Sequence, residues 1–248
     1  MRIVRHFSVI LSAVLMLSSF AFAGGKVHWG YSGHEGPEHW GELSEDYRAC
    51  SEGKNQSPID LTGFIESDLS PLEIGYKAGA TEILNNGHAI QVNCEDGNTL
   101  IVDGHEFELK QFHFHAPSEN QINGKSYAME AHYVHADKAG NLAVIAVMME
   151  EGPANNLVEK LWEKMPEKEG DKNPLGSGLD TSVLLPGIRE CYRFNGSLTT
   201  PPCTEGVLWL VMKEPVTVSK EQIEKFTHTM HHPNNRPVQP MNARPVLK

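Results

Sequence analysis

Apolar residues in this chain come in short runs, each closed by turn-forming residues. The runs Leu72 to Tyr76, His88 to Cys94, Thr99 to Val102, Phe107 to His115, Tyr127 to His135 and Leu142 to Met149 are rich in β-branched and apolar residues, as strands are. Between them lie Asn85-Asn86-Gly87, Asp96-Gly97, Asp103-Gly104, Asn123-Gly124 and Ala139-Gly140-Asn141, which favour hairpins over crossover helices. The pattern predicts a β-dominated domain with few helices. One helix is expected over about Ala154 to Met165, where Leu157, Leu161, Trp162 and Met165 form an apolar stripe. Another starts at Ser219, whose hydroxyl can cap it while Gln222 reaches back, with Ile223, Phe226 and Met230 inward. The Gly- and Pro-rich stretches His28 to Pro37 and Asn234 to Pro245 read as irregular chain hugging the surface.

One strand also carries chemistry. In Gln111-Phe112-His113-Phe114-His115, alternation puts His113 and His115 on one face with Leu109 and Gln111, and Phe112 and Phe114 on the other. A second strand brings Glu130-Ala131-His132. With 13 histidines in the chain, a chance His-x-His pair is unremarkable, and a buried imidazole is usually satisfied by a carbonyl. A third histidine on a neighbouring strand changes that reading, because three imidazoles with no fourth protein ligand leave one tetrahedral position of a zinc ion for water or substrate. Gln111 and Glu130, each two residues before a histidine and on its face, are candidates to orient the rings through their outer nitrogens.

The N-terminus has arginines at 2 and 5, an apolar run from Phe7 to Phe20 and the small-residue site Ala21-Phe22-Ala23, a secretory signal peptide over residues 1–23. A spanning helix would need about 20 apolar residues. Its removal leaves residues 24–248, enough for one large domain, and takes the formal charge from −11 to −13 by the loss of two arginines and no acid. So acidic a chain argues against nucleic acid as a partner. Export makes disulfides expected among Cys50, Cys94, Cys191 and Cys203, with three connectivities open.

Ordered matches along the chain resemble the α-class carbonic anhydrases, in particular the exported bacterial members. They include His28-Trp29-Gly30-Tyr31, Gly36-Pro37-Glu38-His39-Trp40, Asn55-Gln56-Ser57-Pro58-Ile59, Asn85-Asn86-Gly87-His88 and Gln111 to His115. Glu130-Ala131-His132, Ser197-Leu198-Thr199-Thr200-Pro201-Pro202 and Asn235-Arg236-Pro237-Val238-Gln239-Pro240 continue the series. The resemblance covers essentially the whole of 24–248. It implies a mainly β catalytic domain around a large, mostly antiparallel, twisted central sheet. It further implies reversible hydration of CO2 to bicarbonate and a proton by attack of zinc-bound hydroxide.

Carried over by position, the resemblance makes His113, His115 and His132 the ligands of one Zn2+, with Gln111 and Glu130 as their orienters. Thr199 would orient the hydroxide and Glu119 would orient Thr199. Thr200, Val134, Val144, Leu198, Val207 and Trp209 would line the substrate site. His88 would shuttle the proton through water ordered by Tyr31, Asn86 and Gln91, the last an amide variant of the commoner Asn. Cys50 and Cys203 match the pair that exported bacterial relatives join, and Cys94 and Cys191 stand outside it. His28, His34, His39, His135, His228, His231 and His232 receive no catalytic role. Sulfonamide and anion inhibitors, a homodimer and a Gram-negative periplasmic location are further expectations of the resemblance, and no membrane embedding is expected.

Two rivals differ in class. His113 to Glu119 also resembles half of a cupin signature, which would make Glu119 a ligand of iron or manganese, but the expected glycine spacing and second motif are missing. A non-catalytic, carbonic-anhydrase-like binding module is the other, and against it all three ligands, Thr199 and Glu119 are present.

Overall fold

The computed structural model describes residues 27–248 apart from Ser177, so the signal peptide expected over 1–23 lies outside the described residues. In chain order the strands are β1 (Asp60–Leu61), β2 (Glu73–Gly75), β3 (Ala80–Asn85), β4 (Ile90–Cys94), β5 (Thr99–Val102), β6 (His105–His115) and β7 (Gln121–Ile122). They continue with β8 (Met129–Ala136), β9 (Leu142–Glu151), β10 (Lys172–Pro174), β11 (Cys191–Ser197), β12 (Glu205–Met212) and β13 (Val216–Val218). Eleven of these form one sheet with the path β10-β3-β4-β6-β8-β9-β12-β11, while β5 and β2 extend from β6 and β13 joins β9. Among the described residues the α-helices are short: α1 (Trp40–Leu43), α2 (Ala49–Glu52), α3 (Asn156–Trp162) and α4 (Lys220–Met230).

The fold is mainly β, as the apolar runs predict. Asp103 and Gly104 both take positive φ (51° and 79°), as do Asn123 and Gly124 (51° and 76°), the conformation that tight hairpin turns require. Strand β4 starts two residues later than expected, because Asn86 Oδ1 draws the His88 and Ala89 amides into a turn (2.9 and 2.7 Å). The preference for hairpins holds for most of the sheet but not at β9, which pairs in parallel with β12 and β13. Parallel neighbours need a long connection, here the chain carrying α3, β10 and β11. Strands β1, β3, β7, β10, β11, β12 and β13 have no counterpart among the predicted runs. Polar residues interrupt β3 and β11, whereas β12 is a continuous run, Val207 to Met212, buried on both faces.

A β-bulge sets the phase of β6. Leu109 pairs with His135 and Gln111 with Val134, so Lys110 is an extra residue against β8. Simple alternation puts Leu109 beside His113, but the bulge turns it to the opposite face, into the core with Phe107, Phe112 and Phe114. On that face α3 and α4 cover the sheet, with Trp162 stacked on Phe226 (centroids 5.7 Å apart). Fully burying side chains of this size stabilises by about 1.5–3 kcal/mol each. The Ser219 capping box forms as expected, Ser219 Oγ accepting from the Gln222 amide and Gln222 Oε1 from the Ser219 amide. The other face carries a second apolar cluster and the candidate site.

Candidate metal centre and active site

Pairing of β6 with β8 sets His113 opposite His132 and His115 opposite Glu130. One nitrogen from each of His113, His115 and His132 lies within 4.8 Å of the others, and among the described residues no other group of three His, Cys, Asp or Glu converges so closely. The outer nitrogens are engaged. Gln111 Oε1 lies 2.9 Å from His113 Nδ1, and the Asn234 carbonyl accepts from His115 Nδ1 at 2.7 Å. Glu130 Oε1 lies 2.9 Å from His132 Nε2, close to it but outside hydrogen-bond geometry. The inward atoms are therefore Nε2 of His113, Nε2 of His115 and Nδ1 of His132. His115 Nε2 and His132 Nδ1 face one Glu119 oxygen at 3.5 and 3.8 Å.

This donor set fits a metal ion. Burial pushes the pKa of all three imidazoles down, well below the usual range for His113 and His132, where the neighbouring rings add to it. They are thus held neutral, the form that binds metal. His115 Nε2 is buried without a hydrogen-bond partner, and an unpaired buried nitrogen is costly unless something such as a cation meets it. His113 is only half-buried, so the cluster opens on its side.

Two carboxylates stand behind the triad. Glu130, fully buried, accepts from the amides of Glu119 and Asn120 (2.7 and 2.8 Å) and from Asn120 Nδ2 (2.8 Å) as well as facing His132. Burial raises its pKa and these bonds pull it back. Glu119 Oε1 accepts from the Arg236 amide at 2.8 Å. Burial pushes the Glu119 carboxyl up to about 8, opposed first by that amide and then by the Thr199 hydroxyl, although no group meets Oε2 in strict hydrogen-bond geometry.

Thr199 is buried in the turn after β11, where the Leu198 amide donates to the Thr204 carbonyl (3.0 Å) and the Cys203 amide to that of Thr200 (2.9 Å). A disulfide joins Cys203 to Cys50, while Cys94 and Cys191 are free thiols. Val144, Val207 and Trp209 are buried in one apolar cluster with Val134 and Leu198 against it, and the Trp209 ring lies 4.9 Å from that of His132. Farther out, His88 stacks on Trp29 (3.7 Å, 9° between planes). Burial lowers the His88 pKa, Glu169 opposes this, and His28 and His232 add to the lowering. Asn86 donates to Gln91 (3.2 Å), and the Tyr31 hydroxyl is buried without a partner.

A model of the eukaryotic-type carbonic anhydrases matches residues 35–248. A carbonic anhydrase of Neisseria gonorrhoeae is 50% identical over 243 residues, covering 96% of each chain, and one of Pectobacterium carotovorum is 48% identical over 239 residues, covering 96% of this chain and 98% of the relative. The solved α-carbonic anhydrase of Thermovibrio ammonificans, in complex with the inhibitor sulfanilamide, superposes with a TM-score of 0.89 at 53% identity, covering 90% of this chain and all of the other.

The chain belongs to the α-carbonic anhydrase family. That membership removes the cupin reading, and Glu119 does not join the converging ligand atoms. The structure brings His113, His115 and His132 together, with Gln111, Glu130 and Glu119 beside them, and it adds three further groups. Asn234 supplies the carbonyl behind His115, Asn120 holds Glu130, and the Arg236 amide holds Glu119. The expectation that 234–245 hugs the surface fails at its start, where Asn234 and Arg236 are buried. Any residue offers a main-chain carbonyl or amide, so only the unusual cluster Asn234-Asn235-Arg236 before Pro237 marks this stretch in the sequence.

Proposed function

We propose that the chain catalyses zinc-dependent, reversible hydration of CO2 to bicarbonate and a proton. The observation that carries the reading is the convergence of three neutral, braced imidazoles beside an apolar wall. Zinc held by His113, His115 and His132 would supply hydroxide at neutral pH by bringing the pKa of a water to about 7, a value for which carbonic anhydrase is itself the reference case.

The remaining roles belong to the chain's own groups. Gln111, Glu130 and the Asn234 carbonyl fix ring orientation and tautomer. An ionised Glu119 can only accept, so the Thr199 hydroxyl donates its hydrogen bond to Glu119 and leaves the threonine oxygen to accept from the nucleophile. A dication in the triad favours that ionised form, against the burial that raises it. CO2 is apolar, and Val134, Val144, Leu198, Val207 and Trp209 give it an apolar wall, with Thr200 beside it. His88 takes the released proton through water ordered by Tyr31, Asn86 and Gln91. The Cys50–Cys203 bridge anchors the turn bearing Thr199.

A signal peptide over 1–23 and a periplasmic catalytic domain over 24–248 complete the proposal. The disulfide supports export, and among the described residues no helix is long and apolar enough to cross a membrane. The sulfanilamide complex of the Thermovibrio relative supports a sulfonamide-sensitive site here, and we expect a homodimer.

Stopped-flow CO2 hydration with and without a zinc chelator tests the activity. Fast hydration that the chelator abolishes and zinc restores is expected, and zinc-loaded protein without activity would end the proposal. For the shuttle, His88→Ala should slow hydration in weak buffer and imidazole should restore it. Absence of both effects removes His88 from that role.

A further inference from the structure

Arg236 is a cation the fold buries almost completely, at 1% exposure, yet among the described residues it forms no ion pair. Its Nη1 donates to Gln56 Oε1 and the Ser57 carbonyl (2.9 and 2.8 Å), and its Nη2 to the Cys50 carbonyl (2.8 Å). The guanidinium lies 5.6 Å from the Trp40 ring centre, and Nε is buried without a partner. Stability alone is a poor reason for this arrangement, because an apolar side chain of similar volume is often no worse than a buried charge. A two-armed planar fork does something an apolar side chain does not, which is to fix the position of its own main chain.

That main chain matters. The Arg236 amide donates to Glu119 Oε1 at 2.8 Å. Two residues earlier, the Asn234 carbonyl accepts from His115 Nδ1, Asn234 Oδ1 accepts from the Ala116 amide, and Asn234 Nδ2 donates to the carbonyls of Phe114 and His88. Residues 233–241 form neither helix nor strand, so side-chain anchors rather than a ladder locate them.

The oxygens that hold the guanidinium belong to the segment that also holds the Thr199 turn. Cys50 is bonded to Cys203, and Gln56 Nε2 donates to the Cys203 carbonyl at 3.0 Å. Ser57 and Ser197 exchange amide-to-hydroxyl bonds of 2.9 and 3.1 Å. Residues 50–57 thus form one frame, from which Arg236 suspends the donor on Glu119 and Cys203 and Ser197 suspend Thr199.

We propose that Arg236 is a positioning residue for hydration: its guanidinium, clamped on residues 50–57, keeps Glu119 in register with Thr199. The inference rests on the CO2 hydration reading. Misplacing a reacting group by about 1 Å can cost on the order of 100-fold, and a lysine, with one compact ammonium in place of the fork, should misplace the amide by less. In zinc-matched full-length protein, Arg236→Lys is expected to lower kcat/KM about tenfold and Arg236→Met more. The value of kcat should fall less, since the proton leaves by way of His88.

A readout independent of activity is the amide proton signal of residue 236 in NMR spectra, expected downfield because it bonds a carboxyl. Arg236→Lys should move it, and Gln56→Met, which removes one acceptor and leaves Arg236 in place, should move it the same way by less. Gln56→Met also serves if Arg236→Met fails to fold. A lysine variant that melts lower but keeps kcat/KM and the signal unchanged would reduce Arg236 to a stabilising clamp. Should the parent protein not hydrate CO2, the functional reading fails by itself, while an unmoved signal overturns the positioning.

Discussion

Strand β8 carries two fully buried histidines on opposite faces of the sheet, His132 toward the metal site and His135 toward the helix-covered core. Burial lowers the pKa of both. Their partners differ. His135 Nδ1 donates to the Ala143 carbonyl (3.1 Å) and Nε2 accepts from the Tyr76 hydroxyl (2.6 Å), so both nitrogens are used and the ring is a satisfied part of the core. His132 has Glu130 on one side only, and its other nitrogen turns toward His113, His115 and Glu119. Burial and a depressed pKa therefore do not distinguish a ligand from a packed histidine. The distinction lies in the nitrogen left over.

The strongest way to break this contrast is to remove each ring. His132→Ala should take bound zinc from one per chain toward none and abolish hydration, whereas His135→Phe should leave metal content and activity in place. Equal loss in both variants, by metal analysis and stopped flow, would show that burial alone had been misread as function.

Acid stability gives the next largest effect. Unfolded His135 takes up a proton near 6.5 but folded His135 only near 4, so between those values the unfolded state binds more protons and stability falls as pH falls. The contribution is about 3 kcal/mol once pH is below 4. Denaturant unfolding of metal-free protein from pH 7 to 4 should show a shallower pH slope for His135→Leu than for the parent. An unchanged slope would deny that His135 is held neutral by the fold.

Smaller effects sharpen the two sets of partners. Gln111→Ala removes the brace of His113 and should weaken zinc affinity about 10- to 100-fold, read by competition with a chromophoric chelator, with little change in melting temperature. Tyr76→Phe is the counterpart in the core. It leaves His135 Nε2 without a donor and should cost about 1 to 2 kcal/mol, with zinc affinity unchanged. If these outcomes were exchanged, the assignment of the two faces would be wrong.

Much of this could be read from residue order because it depends on local spacing. His113 and His115 two apart on a strand share a face, Gln111 and Glu130 follow from the same period, and Ser219 with Gln222 caps α4 through contacts three residues apart. Strict alternation counted back from His113 misplaced Leu109, because the bulge at Lys110 shifts the phase of β6, the apolar positions passing from Phe107 and Leu109 to Phe112 and Phe114 across the polar pair Lys110-Gln111. Continuous burial on both faces removes alternation altogether, and β12 could not be recognised by it.

By itself, then, the sequence determined the β-rich class, the three histidines, the side chains that brace two of them and, through resemblance, the family. Tertiary structure alone decided which nitrogens turn inward, that Asn234 and Arg236 hold His115 and Glu119 through main-chain atoms, and that His135 is satisfied while His132 is not. The physical reason is reach. Side-chain period is written in neighbouring residues, whereas the second partner of a buried nitrogen comes from chain more than a hundred residues away for His115 and 59 residues away for His135.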